Sequence, residues 1–126
     1  TPAGKRRWLD QSLQSYTRSL ELRTSLYKTD ATARQLRDLA LGEYKFAQVH
    51  LAIADAANAT SAGADDADAR TRRDSHQAAW RYASSALEHF DTLRTVHKAL
   101  AEDAPALVEA RELREQVRER GYGAIP

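Results

Sequence analysis

Apolar residues recur every three or four positions along nearly the whole chain, and this spacing is the feature that most limits its fold. Such a period places the apolar side chains on one side of an α-helix. Residues that favour strands are sparse, and only five glycines and three prolines interrupt the 126 residues. Alanine, which strongly favours helix, supplies much of the 42% apolar content. The sequence therefore predicts an all-α domain with four long helices.

Breaks in the apolar spacing set the expected limits of these helices. The predicted helices cover residues 5–28, 32–58, 66–102 and 105–120. The other residues are expected to form a disordered lead-in (1–4), an exposed loop (59–65) and a tail (121–126). Pro105 suits the first position of the fourth helix and Gly121 suits its end. Consecutive helices would then pair as two antiparallel hairpins.

An internal repeat relates the two hairpins. Ser19-Leu20-Glu21 with Leu26 resembles Ala86-Leu87-Glu88 with Leu93, which lie 67 residues later. A second match relates Asp30 to Asp103, 73 residues later, and Arg37-Asp38-Leu39 to Arg111-Glu112-Leu113, 74 residues later. These offsets are all close to twice the tetratricopeptide period of about 34 residues. The repeat indicates that the hairpins are related units.

The order of residues also resembles a known family of helical repeats. A long helix is followed by Asp30, by an Arg-Asp-Leu helix start at Arg37, and later by an aromatic segment. The residues that carry the resemblance are Tyr16, Leu20, Arg23, Leu26, Asp30, Arg37-Asp38-Leu39-Ala40, Tyr44-Lys45, Val49-His50-Leu51-Ala52 and Ala78-Ala79-Trp80-Arg81-Tyr82. The pattern is similar to the divergent tetratricopeptide arrays that follow the kinase domain in some bacterial Ser/Thr protein kinases. This resemblance implies right-handed stacking of the hairpins and a place in signalling or assembly.

Catalytic and metal-binding patterns are not found. The chain has no cysteine, and its four histidines include no pair four residues apart. The acidic run Asp65-Asp66-Ala67-Asp68 lacks the glycine and distal glutamate of a calcium loop, so a solvated helix start is the favoured interpretation. No glycine-rich phosphate loop or nucleophile elbow is present. We expect no enzymatic activity, no metal and no cofactor.

Charge and hydropathy limit the classes of partner. Nineteen basic and eighteen acidic residues leave the chain nearly neutral, so nucleic acid is not expected as a partner. No segment approaches the roughly 20 apolar residues of a membrane span, so direct membrane insertion is not expected. Lys5-Arg6-Arg7 is interpreted as a solvated helix start, with a membrane-flanking anchor as the alternative. We expect a soluble domain that begins inside a longer protein, in the cytoplasm or beyond an upstream membrane span.

The sequence favours a non-catalytic protein–protein interaction module that binds a protein or peptide segment. In a tetratricopeptide pair one helix lines a concave groove, and we predict that the second helix does so here. The candidate binding residues are Arg37, Tyr44, Lys45 and Gln48. The large aromatic residues are expected to lie mostly in the core, including Trp8, Tyr16, Phe46, Trp80, Tyr82 and Phe90. The alternative is a structural four-helix bundle that mediates formation of a homo-oligomer.

Overall fold

The computed structural model describes residues 1–60, 66–123 and 125, and the described chain is built from four α-helices. These are α1 (Pro2–Thr29), α2 (Ala33–Thr60), α3 (Asp66–Thr95) and α4 (Pro105–Arg120). No strand occurs among these residues, and the predicted all-α class with four long helices is confirmed. Of the loop predicted for 59–65, Ala59 and Thr60 instead complete α2, and 61–65 lie outside the described residues.

Helix α1 begins at Pro2, earlier than the expected start at Lys5, and residues 2–4 are therefore helical instead of a disordered lead-in. Thr1 caps the helix, because its side-chain oxygen accepts a hydrogen bond of 3.0 Å from the Gly4 N–H. Pro2 costs the first turn nothing, since the N–H that proline lacks would have no helical partner there. The Thr-Pro pair is thus a start signal.

Helix α3 ends at Thr95, seven residues before the predicted limit at Glu102. Lys98 adopts a left-handed backbone with φ of 54°, and the Ala99 N–H bonds back to the Leu93 carbonyl at 2.8 Å. The apolar spacing continues to Leu100, which suggested a longer helix. Leu100 instead packs against the core from the connection to α4.

Consecutive helices pack against each other in antiparallel pairs. Leu9, near the start of α1, lies in one buried cluster with Ile53, near the end of α2. A second cluster joins the start of α2 and the end of α3 through Leu36 and Phe90, and it includes Leu107 from the first turn of α4. Burial of such side chains contributes roughly 1.5–3 kcal/mol each to the free energy of folding.

The four helices form an open array. Helix α2 contacts α3 along its length, and α4 contacts α3 and approaches α2. Within residues 1–60 and 66–123, no Cα atom of α1 lies within 8 Å of a Cα atom of α3 or α4. Helices α2, α3 and α4 therefore make a compact triangle, and α1 is added on the free side of α2.

This arrangement leaves part of α1 uncovered. Trp8 is 63% exposed and Leu26 is 43% exposed, although Trp8 was expected in the core. The reason is geometric, because Trp8 lies 100° around the helix from the buried Leu9. Because α1 packs mainly on α2, with Tyr27 also reaching the ring of His89 on α3, it buries a narrow stripe and leaves the flanking apolar residues in solvent.

The described part of the tail folds back onto the helices. Gly121 ends α4 in the left-handed region with φ of 64°, a conformation that glycine adopts without cost. The Tyr122 hydroxyl donates to Asp55 Oδ1 at 2.8 Å, and Arg120 Nε donates to the same oxygen at 3.0 Å. The buried His76 donates from Nε2 to the Val117 carbonyl at 2.7 Å. These bonds attach the end of α4 to α2 and α3.

Candidate functional site

The four residues predicted to bind a partner lie on α2, and two of them contact each other. Gln48 Nε2 donates to the Tyr44 hydroxyl at 3.2 Å. Burial raises the pKa of Tyr44, and the nearby charges of Glu109 and Glu112 raise it further.

Arg37 and Lys45 are both exposed, but they differ in their contacts with the rest of the chain. Arg37 Nη2 donates to the Ala99 carbonyl in the α3–α4 connection at 3.1 Å. Lys45 makes no ion pair within the described chain. None of these four predicted residues lines the clefts described next.

A cleft opens on one side of α2, where α1 and α3 lean against different sides of that helix. Its volume is about 480 Å³, and a second cleft of about 430 Å³ continues it towards the start of α3. The two share Phe46, Arg81 and Tyr82. We call the pair the front cleft. Its other lining residues are Thr17, Leu20, Glu21, Thr24, Ser25, Glu43, His50, Asp74, Gln77 and Ala78.

Three aromatic rings in mutual contact form the floor of the front cleft. The Phe46 ring meets the rings of His50 and Tyr82 edge-on, each with 4.7 Å between centroids. The His50 and Tyr82 rings are parallel to within 6° at 6.4 Å. Burial lowers the pKa of His50 to about 4, so its imidazole is neutral near pH 7 and the floor is an uncharged aromatic surface.

Arg81 places a positive charge at the centre of this surface. It is exposed, and its guanidinium carbon lies 5.3 Å from the centroid of the Tyr82 ring. Within the described chain no carboxylate forms an ion pair with it. A guanidinium resting on an aromatic ring keeps its donors free for a carboxylate. The front cleft can thus offer a cation beside an aromatic floor.

The buried carboxylate of Glu43 belongs to the lining of the front cleft. Glu43 is only 6% exposed, and it accepts hydrogen bonds of 2.5 Å from the Ser85 hydroxyl and from His89 Nδ1. The bond to Glu43 is the main cause that raises the pKa of His89, against the lowering effect of burial. The three side chains join α2 to α3 through charge-assisted hydrogen bonds.

This group of serine, histidine and glutamate has the wrong connectivity for a nucleophilic triad. In a triad the serine bonds to the histidine, which in turn bonds to the carboxylate. Here Ser85 and His89 both donate to Glu43, so His89 is not positioned to take the Ser85 proton as the histidine of a triad does. Across residues 1–60 and 66–123, no three His, Asp or Glu side chains come close enough to hold a metal ion.

Two other clefts offer less for recognition. One of about 410 Å³ lies between α3 and α4, where Asp91 pairs with Arg94 at its edge. A larger one of about 790 Å³ lies between the start of α1 and the end of α2, and Ala3, Ala56 and Ala59 are among its lining residues. Neither has an aromatic side chain among the described residues that line it. Aromatic residues and arginine contribute most to binding at protein interfaces, so the front cleft is the stronger candidate.

The sequence interpretation missed the front cleft, although part of it left a signal. Glu43 lies three residues after Ala40 and four before Ala47, within the buried stripe of α2. A carboxylate at such a position predicts a polar partner on the facing helix. Ser85 and His89, four residues apart, supply that partner. Nothing in the spacing indicated that Arg81 would lie beside Phe46.

No protein family, curated protein or solved structure matches this chain. None of the described helices has an apolar stretch long enough to cross a bilayer. The resemblance to tetratricopeptide arrays therefore stays a prediction.

The Glu43 group makes a testable contribution to stability. Replacing Glu43 with glutamine should lower the free energy of unfolding, by about 1.5–3 kcal/mol at pH 5.5, because protonated His89 loses its charged acceptor. The pKa of His89 is raised in the folded protein. The stabilisation by the bond between His89 and Glu43 is therefore present in full below about pH 6.5, the pKa of histidine in the unfolded chain. It is lost as the pH rises through the raised value.

Urea unfolding of both proteins at pH 5.5 and at pH 8.5 measures this effect. The difference between them should shrink at the higher pH. Glu115→Gln is the matched control, because Glu115 is exposed on α4 and should change stability little at either pH. An equal loss for Glu43→Gln at both pH values would mean that protonated His89 contributes nothing through this bond.

Proposed function

We propose that this domain is a non-catalytic protein–protein interaction module that binds a segment of a partner protein in the front cleft. The observation that carries the proposal is the unpaired, exposed Arg81 lying on Tyr82 above a floor of aromatic rings. Such a surface suits a segment that presents an apolar side chain to Phe46 and a carboxylate to Arg81.

The open order of the helices supports this proposal. An array whose first helix packs mainly on the second keeps a cleft between α1 and α3, as a stack of helical hairpins does. The resemblance to tetratricopeptide arrays after bacterial kinase domains suggests that the module is the sensory or assembly part of a larger signalling protein. A structural bundle that forms homo-oligomers is the second proposal, and the exposed apolar residues of α1 favour it.

Selection of binders from a displayed peptide library tests the cleft directly. We expect selected peptides to be enriched in an acidic residue next to an aromatic or aliphatic one. Arg81→Glu should weaken their affinity at least tenfold, and Ser25→Arg should do the same by filling the cleft from α1. Lys45→Glu, an equal charge reversal at a residue predicted from sequence, should leave the affinity unchanged.

Two results would contradict the cleft as the binding site. One is a library that yields no peptide above background. The other is a loss of affinity in Lys45→Glu with none in Arg81→Glu. The second result would move the site to the surface around Arg37, Tyr44, Lys45 and Gln48. Sedimentation velocity distinguishes the second proposal from the first, because an oligomeric bundle requires a stable dimer or larger assembly at micromolar concentration.

A further inference from the structure

Helix α1 carries a line of exposed apolar side chains on the side that no other helix covers. Trp8 is 63% exposed, Leu22 is 62% exposed and Leu26 is 43% exposed. At 100° per residue the three lie within about 40° of one another around the helix, and they extend over about 27 Å of its axis.

The same side of α1 is positively charged. Lys5, Arg7 and Arg18 are exposed, lie within about 100° of Trp8 around the helix, and form no ion pair within the described chain. The two acidic residues of α1, Asp10 and Glu21, project from the other side, at about 140–160° from Trp8. We call this surface the outer face of α1 and define it by Lys5, Arg7, Trp8, Arg18, Leu22 and Leu26.

The charge of this helix stands out against that of the chain. Residues 2–29 hold six basic and two acidic side chains, whereas the whole sequence has a net charge of only +1. The basic ones are Lys5, Arg6, Arg7, Arg18, Arg23 and Lys28. Such asymmetry within a neutral chain predicts an anionic partner for the basic segment.

The pattern of the outer face distinguishes among anionic partners. A packed partner helix needs apolar residues every three to four positions, but Gln11, Ser15 and Ser19 fill the interval between Trp8 and Leu22. A second copy of α1 would bring cations against cations, at an energetic cost. Nucleic acid would meet the cations through phosphate but would leave the leucines without a role. An anionic surface that extends in two dimensions and has an apolar layer beneath it would contact all six side chains of the outer face.

We propose that the outer face of α1 binds the surface of an anionic phospholipid bilayer, with the helix axis parallel to the membrane plane. Trp8, Leu22 and Leu26 enter the headgroup region, where indole rings are favoured. Lys5, Arg7 and Arg18 contact the anionic headgroups. The front cleft lies on the other side of α1 and stays open to a partner, so this inference is independent of the proposed function.

Vesicle co-sedimentation tests the proposal, with vesicles of phosphatidylserine and phosphatidylcholine in a roughly 1:2 ratio beside vesicles of phosphatidylcholine alone. We expect binding to the anionic vesicles only, weakening as salt is added. Arg7→Glu/Arg18→Glu should reduce the affinity at least thirtyfold, since each surface cation contributes a factor of about five. Arg81→Glu/Arg111→Glu makes the same change of charge on α3 and α4 and should leave the affinity unchanged.

The two tryptophans report which face binds. Trp8 is exposed and Trp80 is buried, so binding should shift the fluorescence to shorter wavelength in the wild-type protein and not in Trp8→Phe. Leu22→Ser/Leu26→Ser should also weaken binding, and circular dichroism should show its helices intact because both residues are exposed.

Four results would overturn the proposal. These are equal binding to neutral and anionic vesicles, no binding to either, binding to a DNA duplex without binding to vesicles, and a dimer that Leu22→Ser/Leu26→Ser converts to monomer.

Discussion

Replacing Leu93 with alanine should lower the free energy of unfolding by about 3–5 kcal/mol, the range for removing a fully buried leucine. Leu93 is 0% exposed, and its side chain lies in the cluster where α2, α3 and α4 meet. The remaining cavity cannot collapse easily, because helices contact it from three sides. Urea unfolding followed by circular dichroism measures the loss.

The matched control is Leu26→Ala at the equivalent position of the internal repeat. Leu26 is 43% exposed, so its replacement should cost less than about 1 kcal/mol. Equal losses at the two positions would show that the hairpins have equivalent environments, as the repeat alone predicts. That outcome would contradict the open array in which α1 packs mainly on α2.

Replacing His50 with phenylalanine should remove a large acid-induced loss of stability. Burial lowers the pKa of His50 to about 4 in the folded protein, against about 6.5 when unfolded. Below pH 6.5 the unfolded chain therefore binds a proton that the folded protein does not. Between pH 7 and pH 4 this difference destabilises the wild-type protein by on the order of 3 kcal/mol.

The phenylalanine variant lacks this proton and can keep the ring stack with Phe46 and Tyr82. It should resemble the wild-type protein at pH 7 and become the more stable of the two as the pH falls. His97→Phe is the control, because His97 is exposed in the connection after α3. If the wild-type protein and the variant lost stability in parallel as the pH fell, His50 would be accessible to protons in the folded protein.

The apolar spacing of this chain predicts its helices well because helix formation depends on neighbours three and four residues away. The same spacing misplaces two ends. The side chain of Thr1 caps α1, which therefore begins at Pro2. The left-handed backbone of Lys98 follows the end of α3, although the apolar pattern continues beyond it. Both outcomes depend on single backbone contacts that periodicity does not contain.

The candidate site was harder to predict because it depends on how helices distant in sequence are placed. Packing of α2 on α3 brings Phe46 and Arg81 together, and the gap between α1 and α3 makes both part of one cleft lining. The residues predicted from sequence face away from that gap, and Arg37 is engaged by the α3–α4 connection. Leu26 and Leu93 occupy equivalent positions of the internal repeat, but α1 lies at the end of the array and packs mainly on α2, whereas α3 packs on both α2 and α4.

The limited packing of α1 has a consequence for how the molecule opens. Detachment of α1 breaks its interface with α2 and side-chain contacts to α3 such as that of Tyr27 with His89, and it leaves the packing among α2, α3 and α4 intact. Amide hydrogens of α1 should therefore exchange with solvent through detachment of that helix alone, at a lower free energy than those of α3. A ligand held between α1 and α3 would oppose this detachment. Slower exchange in α1 would then report occupancy before any change in global stability.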